Sequence, residues 1–370
     1  MDDRPDAAAV AEGLREVLRD ELGLTGADGS RPPKLLADGV TARAFAVDLN
    51  GRPLVLRVFV PSEEESLPAD QHRVEAALQN ALADLGYPAP RVLASGDASS
   101  PLGAPFILME RAAGRSLMGV VILGAVGVMA LGVALSWIPL LVFLATYWFV
   151  MVRLLLRLHD VPGSAVRARL GAAGVGPERL SSDAILDEME EWVERDGRDG
   201  RRLLMRWLRE SAPNESEPQV VCHGDFWFGN LMAGLRGVVV LDWTQARLSA
   251  REFDLGWIRI QHYSRIPLPL PEPAYDVLAS LIRPLAWLLL GANGWIYGLV
   301  HPVDPDRLRY FTVLNAARIL LAVEDRRRSC DPKRASGDAL LLAWGSPITR
   351  ALLRRRLCRL TGIARASFET

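Results

Sequence analysis

Cysteine and lysine are scarce in this chain of 370 residues, and the scarcity of cysteine excludes a disulfide-rich protein. The three cysteines, Cys222, Cys330 and Cys358, are odd in number and widely spaced. They therefore offer neither a disulfide framework nor paired metal ligands, which fits a reducing compartment. Lys34 and Lys333 are the only lysines, so almost every positive charge in the sequence is carried by arginine.

An excess of charge of either sign is also missing. The 43 basic and 44 acidic residues leave a formal net charge of −1. Without a basic field the chain is not expected to bind nucleic acid, and it has no acidic tail. The N-terminus is acidic and then amphipathic, without a charged segment followed by an apolar one, so no secretory signal is predicted.

The first third of the chain has the pattern of a small sheet with one packed helix. A helix is predicted over residues 7–23, and two strand-like stretches then flank Asn50 and Gly51. This dipeptide favours a tight hairpin because both residues tolerate positive φ. A helical stretch follows and ends at Gly86, and two more strand-like stretches come after it.

A polar motif lies inside an otherwise apolar stretch, VVCHGDFWFGNLM, at residues 221–233. It contains His223, Asp225 and Asn230, and Asp242 follows at the end of the strand-like segment VVVLD. Phosphoryl transfer needs a carboxylate that positions an acceptor hydroxyl and takes its proton, and Asp225 suits that role. Mg²⁺ prefers oxygen ligands, which Asn230 and Asp242 can supply. The spacing indicates a kinase-type active site.

The segments VVCHGDFWFGNLM, VVVLDWTQA and EFDLGW together resemble the aminoglycoside phosphotransferase and choline kinase-like family. The signature of that family is H-G-D-x-x-x-x-N followed by a strand that ends in D-W. The resemblance implies that Asp225 is the catalytic base and that His223 braces the catalytic loop. It also implies that Asn230 and Asp242 are the Mg²⁺ ligands. Asp254, in the third segment, matches a family aspartate that we interpret as structural.

The N-terminal half carries the same resemblance. The stretch LADGVTARAFAVDLNGRPLVLRVF is similar to the nucleotide-covering hairpin of the family, with Gly39 and Thr41 in the loop over the phosphates. Arg57 falls where protein kinases have a strand lysine that grips the phosphates, and a guanidinium can also bind phosphate oxygens. Glu75 matches the helix glutamate that would pair with Arg57.

The segment FILMERAAGRSL resembles the linker between the two lobes of the family fold. There the backbone groups of Glu110 and Arg111 would meet the adenine. The resemblance extends over about residues 33–260 and implies ATP and Mg²⁺ as cofactors, with GTP left open.

An apolar run interrupts the family pattern, because residues 118–152 include no charged side chain over 35 positions. A helix of about 20 apolar residues is enough to cross a bilayer. Arginines flank both ends of the run, and equal positive charge on both sides favours an even number of crossings. Both flanks also match one fold, so they must lie on the same side of a membrane. A membrane hairpin is therefore predicted, and apolar helices packed inside the fold are the alternative.

Two later segments leave alternatives open. Residues 285–300 are apolar but are interrupted by glycines, which favours buried helices over membrane contact. Residues 348–368 read as a basic amphipathic helix, which can lie on an anionic membrane surface or pack one leucine face on the domain.

These features predict an α+β, bilobal, protein-kinase-like fold. A helical extension (1–30) precedes a small β-rich N-lobe (31–111), and a mostly helical C-lobe (112–370) contains the apolar helical hairpin (118–152). The predicted function is transfer of the γ-phosphate of ATP to a hydroxyl of a small molecule. If the hairpin anchors the protein in a membrane, membrane lipid becomes an expected partner and an amphiphilic molecule an expected acceptor. The enzyme is then expected at the cytoplasmic face of the membrane. The cytoplasm is the alternative location. A nucleotide-binding pseudokinase that acts as a membrane scaffold is the alternative function, since Arg57 replaces the lysine.

Overall fold

A computed structural model shows the backbone and side chains of the protein. It describes residues 10, 12–14, 16–17, 32–38, 42–49, 51–59, 70–117, 137–196, 199–213, 219–235, 237–265, 291–329 and 339–368, with the backbone alone for 137–147. The chain divides into two compact units. Unit 1 comprises residues 1–117, 165–176 and 229–244, and unit 2 comprises residues 118–164, 177–228 and 245–370.

The strands and helices have the following bounds. The strands are β1 Lys34–Asp38, β2 Ala42–Leu49, β3 Arg52–Phe59, β4 Val92–Gly96, β5 Phe106–Glu110, β6 Arg115–Ser116, β7 Val220–Cys222, β8 Leu231–Gly234, β9 Gly237–Val240 and β10 Arg247–Ser249. The helices are α1 Gln71–Asp84, α2 Trp137–His159, α3 Gly163–Ala172, α4 Asp183–Asp196, α5 Asp199–Glu210, α6 Glu252–Gln261, α7 Pro305–Ser329, α8 Ala339–Trp344 and α9 Pro347–Thr361.

Unit 1 is built on an antiparallel sheet with the strand order β1-β2-β3-β5-β4. The predicted hairpin is present, since β2 and β3 pair along their whole length, from Ala42 opposite Phe59 to Leu49 opposite Arg52. In its turn, Gly51 has a φ of 81°, and its N–H donates to an oxygen of the Asp48 carboxylate at 2.8 Å. The turn chemistry predicted from the sequence therefore sets the register of the hairpin.

The alternation of side chains along β3 decides which residues face the candidate site. One face of the strand contributes to a fully or nearly fully buried cluster with the N-terminal helical residues, and its members include Val10, Leu14, Val17, Leu54, Leu56 and Val58. Arg57 lies on the opposite face, together with Phe59. Phe59 belongs to a second cluster that contains Ala76 of α1. Because side chains alternate between the two faces of the strand, Arg57 faces helix α1.

A second, smaller sheet of unit 1 has the order β6-β8-β9. Its β8–β9 hairpin pairs Leu231 with Val240 at one end and Gly234 with Gly237 at the other. The backbone N–H of Val240 also donates to the carbonyl of Pro88 at 2.8 Å. This bond joins the hairpin to the segment that precedes β4.

Unit 2 is mostly helical around one apolar cluster. Helix α7 contributes the fully buried Val313, Leu314 and Ala317 to it. Gly256 on α6 allows α7 to approach closely, because a Cβ at that position would lie 2.6 Å from the carbonyl carbon of Phe311. The two-stranded sheet of β7 and β10 lies in the same unit. Helix α9 packs its leucines on the cluster, as one of the two sequence alternatives for this segment expects.

The apolar run at 118–152 is only partly described. Residues 118–136 lie outside the described residues, and residues 137–152 form the first part of α2, which continues to His159. Among the residues whose side chains the structure describes, no helix combines the length and the apolar character needed to cross a membrane. The predicted membrane hairpin therefore stays a prediction.

Candidate active site

The β8–β9 hairpin brings the two predicted metal ligands to the same end of a sheet in unit 1. Asn230 immediately precedes β8, and Asp242 follows β9 by two residues. The N–H of Leu241 donates to the carbonyl of Asn230 at 2.8 Å, which extends the pairing beyond the strands. The Asp242 side chain is 47% exposed, so its oxygens are accessible. An amide oxygen and a carboxylate together fit Mg²⁺, which prefers oxygen ligands.

The backbone of Asp242 is left-handed, with a φ of 60°. Aspartate tolerates this region better than most residues because its short polar side chain can bond locally. Non-glycine residues in such conformations concentrate at functional sites. The turn is held by the next residue, since the indole N–H of Trp243 donates to the carbonyl of Val240 at 3.2 Å and its ring meets Tyr87 edge to face.

The ion pair predicted between Arg57 on β3 and Glu75 on α1 is present. The Glu75 side chain is fully buried, and it also accepts a hydrogen bond from the amide of Gln79 at 3.1 Å. Nη2 of Arg57 lies 3.7 Å from Oδ1 of Asp242 and donates to the Thr244 hydroxyl at 3.3 Å. The guanidinium therefore reaches from the ion pair to the candidate metal ligand.

Thr244 is the centre of this polar cluster, although the sequence interpretation did not include it. Its hydroxyl lies 2.8 Å from Oδ1 of Asp242 and 3.1 Å from Oε2 of Glu75. Its carbonyl accepts from the amide of Gln71 at 3.1 Å. The signal that could have identified it is its position two residues after Asp242 in the segment LDWTQ.

The cluster keeps positive charge beside Asp242. Burial disfavours the charged form of Arg57, but the negative charges of Glu75 and Asp242 outweigh burial and raise the pKa of the guanidinium. Burial also raises the pKa of the Glu75 carboxyl, against the opposing effect of Arg57. A guanidinium held in this way is suited to bind anionic phosphate oxygens.

The structure describes only some of the other residues that are predicted to contact the nucleotide. Gly39 and Thr41 lie outside the described residues. At the end of β5, the N–H of Glu110 donates at 2.9 Å to the carbonyl of the residue before β4, and the N–H of Arg111 donates at 3.2 Å to Pro53. Both N–H groups are therefore engaged within the unit. Pro53 has no N–H to donate to the carbonyl of Arg111.

In unit 2, one buried carboxylate holds the loop that follows β7. Asp254 on α6 accepts the N–H of His223 at 2.8 Å and the N–H of Gly224 at 2.7 Å. One of its oxygens also lies 3.2 Å from Nε2 of His159, whose Nδ1 lies 2.7 Å from the hydroxyl of Tyr297. Asp254 therefore fixes the backbone of the H-G-D motif, which is the structural role expected for it.

The backbone of this loop requires glycine before Asp225. Gly224 has a φ of 75°, and a Cβ there would lie 2.0 Å from the carbonyl oxygen of Gln245. The fully buried His223 accepts the N–H of Asp225 on its Nδ1 at 3.2 Å. A ring nitrogen that accepts has no proton, so the neutral ring carries its proton on Nε2.

A buried arginine on α7 completes the surroundings of Asp225. Arg318 donates to the side chain of Gln245 at 2.9 Å and to the carbonyl of Gly224 at 3.2 Å. Its guanidinium carbon lies 5.6 Å from the ring centre of Trp257. Burial lowers the pKa of Arg318, and the negative charge of Asp225 opposes this effect. No sequence motif identifies Arg318, because it lies in an ordinary helical stretch, NAARILL.

The family model described as the phosphotransferase enzyme family matches residues 33–285. This range includes more than half of the chain and every residue that the sequence assigned to the site. The chain belongs to the phosphotransferase enzyme family. No curated protein sequence matches this phosphotransferase.

Solved structures with low sequence identity share the fold of this phosphotransferase. A Ralstonia eutropha protein provisionally named an aminoglycoside phosphotransferase has 17% identity and a TM-score of 0.54, with 99% of each chain covered. Ethanolamine kinase of Plasmodium vivax has 12% identity and a TM-score of 0.54, with 96% of this chain and 89% of that chain covered. A thermostable mutant of aminoglycoside phosphotransferase APH(4)-Ia, in a ternary complex with ADP and hygromycin B, has 16% identity and a TM-score of 0.52, with 95% and 99% covered. The predicted α+β, protein-kinase-like fold is confirmed.

Proposed function

We propose that this phosphotransferase transfers the γ-phosphate of ATP to a hydroxyl group of a small molecule. The observation that carries the proposal is the pair of oxygen donors, Asn230 and Asp242, at one end of the β8–β9 hairpin beside the charged Arg57. Bound there, Mg²⁺ would neutralise charge on the nucleotide phosphates. A protein of the same fold has been solved with ADP and hygromycin B, which supports a nucleotide and a small hydroxyl-bearing acceptor.

Asp225 is the proposed base, which takes the proton of the acceptor hydroxyl. Its backbone is held on one side by the His223 ring, and Asp254 anchors the two residues before it. The buried guanidinium of Arg318 supplies positive charge near Asp225. These contacts fix the backbone of the loop that carries Asp225.

Arg57 is the proposed ligand of the nucleotide phosphates. Its side chain is only 13% exposed, and Glu75 and Thr244 fix its direction. Gly39 and Thr41 are proposed to cover the phosphates, and the carbonyl oxygens of Glu110 and Arg111 to face the adenine. The guanidinium can donate two parallel bonds to phosphate oxygens, as the lysine of protein kinases cannot.

Binding and turnover of ATP, measured with and without Mg²⁺, test these roles. Asp225→Asn is expected to bind ATP normally but to lose turnover by at least about a hundredfold, because only the proton acceptor is removed. Asp242→Asn is expected to weaken binding of Mg²⁺-ATP. Asp84→Asn, at an exposed ion pair with Arg91, is the matched control and should change neither quantity. A folded wild-type protein that binds no nucleotide would overturn the proposal.

The acceptor belongs to the class of small molecules that carry a hydroxyl group. Neighbours of the same fold include an ethanolamine kinase and a protein solved with hygromycin B, so the fold does not narrow the acceptor further. A screen of amino alcohols, aminoglycosides and amphiphilic alcohols, read out as phosphorylated product by mass spectrometry, tests this class.

A nucleotide-binding pseudokinase that acts as a membrane scaffold is the second candidate function. It is favoured by Arg57, which replaces the expected lysine and lies 3.7 Å from Asp242. Under this function the wild type would bind nucleotide but phosphorylate no acceptor in the screen. Asp225→Asn would then leave every measured property unchanged.

We also propose that the apolar run at 118–152 anchors the protein at the cytoplasmic face of a membrane. The proposal rests on 35 uncharged positions between flanking arginines, and on Phe149 of α2, which is 62% exposed. The full-length protein should stay with the membrane fraction after a high-salt wash and require detergent for extraction. Recovery of the whole protein in the aqueous fraction would contradict the anchor and leave a cytoplasmic enzyme.

A further inference from the structure

A cleft in unit 2 is lined almost entirely by arginine. It has a volume of about 210 Å³ and lies where α5, α7 and α9 meet. Its lining consists of Arg201, Glu324, Arg327, Arg328, Arg350 and Arg354, and we call it the arginine cleft. None of these residues takes part in the proposed phosphoryl transfer, so the cleft needs a separate explanation.

The only carboxylate among the described residues of this lining is already shared. Glu324 forms ion pairs with both Arg201 and Arg354. The Glu324 and Arg201 side chains are 8% and 7% exposed, so the pair forms the buried base of the cleft. Among the lining residues that the structure describes, one carboxylate and five guanidinium groups leave an excess of four positive charges.

Asp325, which follows Glu324 but does not line the cleft, does not remove this excess. It lies 3.7 Å from Arg328 and 3.7 Å from Arg195, so its charge is divided between an arginine of the cleft and one outside it.

Two arginines of the cleft form no ion pair within the described part of the chain. Arg327 and Arg350 both donate to the carbonyl oxygen of Gly345, each at 3.3 Å. Their positive charges are therefore held near one another by a neutral acceptor. Burial lowers the pKa of Arg350, and the like charges of Arg327 and Arg354 lower it further, while the negative charge of Glu324 opposes this effect. An anion bound between them would relieve this repulsion.

We propose that the arginine cleft binds a phosphate group, either of a soluble phosphate compound or of a lipid headgroup. Guanidinium groups donate paired hydrogen bonds to phosphate oxygens. A phosphate monoester carries a charge of about −1.5 to −2 at pH 7, which offsets more of the excess than a single carboxylate does. Soluble and lipid sources present the same chemistry, and the experiment separates them.

The test compares two double variants that remove the same charge. Arg327→Gln with Arg350→Gln changes the rim of the cleft, where Arg327 is exposed and Arg350 partly exposed. Arg202→Gln with Arg206→Gln, at exposed positions of α5 that do not line the cleft, is the control. The full-length protein is titrated with inorganic phosphate in a calorimeter. It is also sedimented with phosphatidylcholine vesicles that contain or lack phosphatidylglycerol.

The cleft variant should lose at least about tenfold in affinity for one probe, and the control should bind as the wild type does. Loss of phosphate binding identifies a soluble ligand. Loss of the extra binding that phosphatidylglycerol confers identifies a lipid headgroup, whatever the apolar run contributes to both vesicles. A wild type that binds neither probe, or two variants that lose binding equally, would overturn the proposal.

The unfolding temperature of each variant, measured without anion, distinguishes a loss of anion binding from a folding defect. If Arg327 and Arg350 serve to bind an anion, the cleft variant should unfold at the same temperature as the wild type or at a higher one, because repulsion is removed. A clear fall in that temperature would show that the two arginines hold the fold together, and the proposal would be wrong. ATP turnover of these samples does not bear on the result.

Discussion

The hydroxyl of Thr244 lies 2.8 Å from Oδ1 of Asp242. The same hydroxyl lies 3.1 Å from Oε2 of Glu75 and accepts a hydrogen bond from Arg57. Since a hydroxyl has one proton, it donates to one of the two carboxylates at a time. Thr244 thus joins the candidate metal ligand to the ion pair between β3 and α1.

Replacement of Thr244 by valine, which has nearly the same shape, should weaken binding of Mg²⁺-ATP and lower stability by a small amount. Asp242 and Glu75 would each lose a hydrogen-bond partner, and we expect a stability cost of about 1 kcal/mol. The KM for ATP should rise several-fold while kcat changes less. Thr244→Ser, which restores the hydroxyl, should bring the KM back. An unchanged KM in the valine variant would show that Thr244 does not position Asp242.

Replacement of Asp254 by asparagine should destabilise unit 2 strongly. The fully buried carboxylate accepts two backbone N–H groups of the H-G-D motif, whereas an amide would direct its NH₂ group at one of them. We expect a loss of about 3 kcal/mol in the free energy of unfolding, measured with urea. Asp199→Asn is the control, because that side chain is 86% exposed. Equal stabilities of the two variants would contradict the anchoring role.

Local parts of the site could be predicted from the sequence, and the contacts that join distant segments could not. The β2–β3 hairpin follows from alternation and from its turn residues, and the pair of Arg57 and Glu75 follows from the family resemblance. By contrast, Thr244 meets Glu75 across 169 positions of the chain. Arg318 reaches Gly224 across 94 positions. Such contacts are set by the packing of α1 and α7, which no local pattern encodes.

Replacement of Gly224 by alanine should abolish ATP turnover and lower stability by more than about 2 kcal/mol. The left-handed φ and the 2.0 Å approach of a Cβ to the Gln245 carbonyl both oppose any side chain there. Gly51→Ala is the matched control, because Gly51 has a similar φ of 81° but open space around it. The control should cost only about 1 kcal/mol and retain activity. A Gly224→Ala protein with normal turnover would mean that the loop tolerates another conformation.

Two ion pairs of unit 1 differ in burial, and removal of one charge from each should separate their contributions. Glu75→Gln leaves the guanidinium of Arg57 in a buried setting with Asp242 as its acidic neighbour, and we expect a loss of about 2 to 4 kcal/mol. Glu110→Gln breaks the pair with Arg52, whose side chains are 47% and 55% exposed, and should cost less than about 1 kcal/mol. Urea unfolding of both variants measures the two costs. Added Mg²⁺-ATP should narrow the difference if phosphates take the place of Glu75 as the partner of Arg57. If the difference between the two stability costs stays constant at saturating nucleotide, Arg57 does not contact the phosphates.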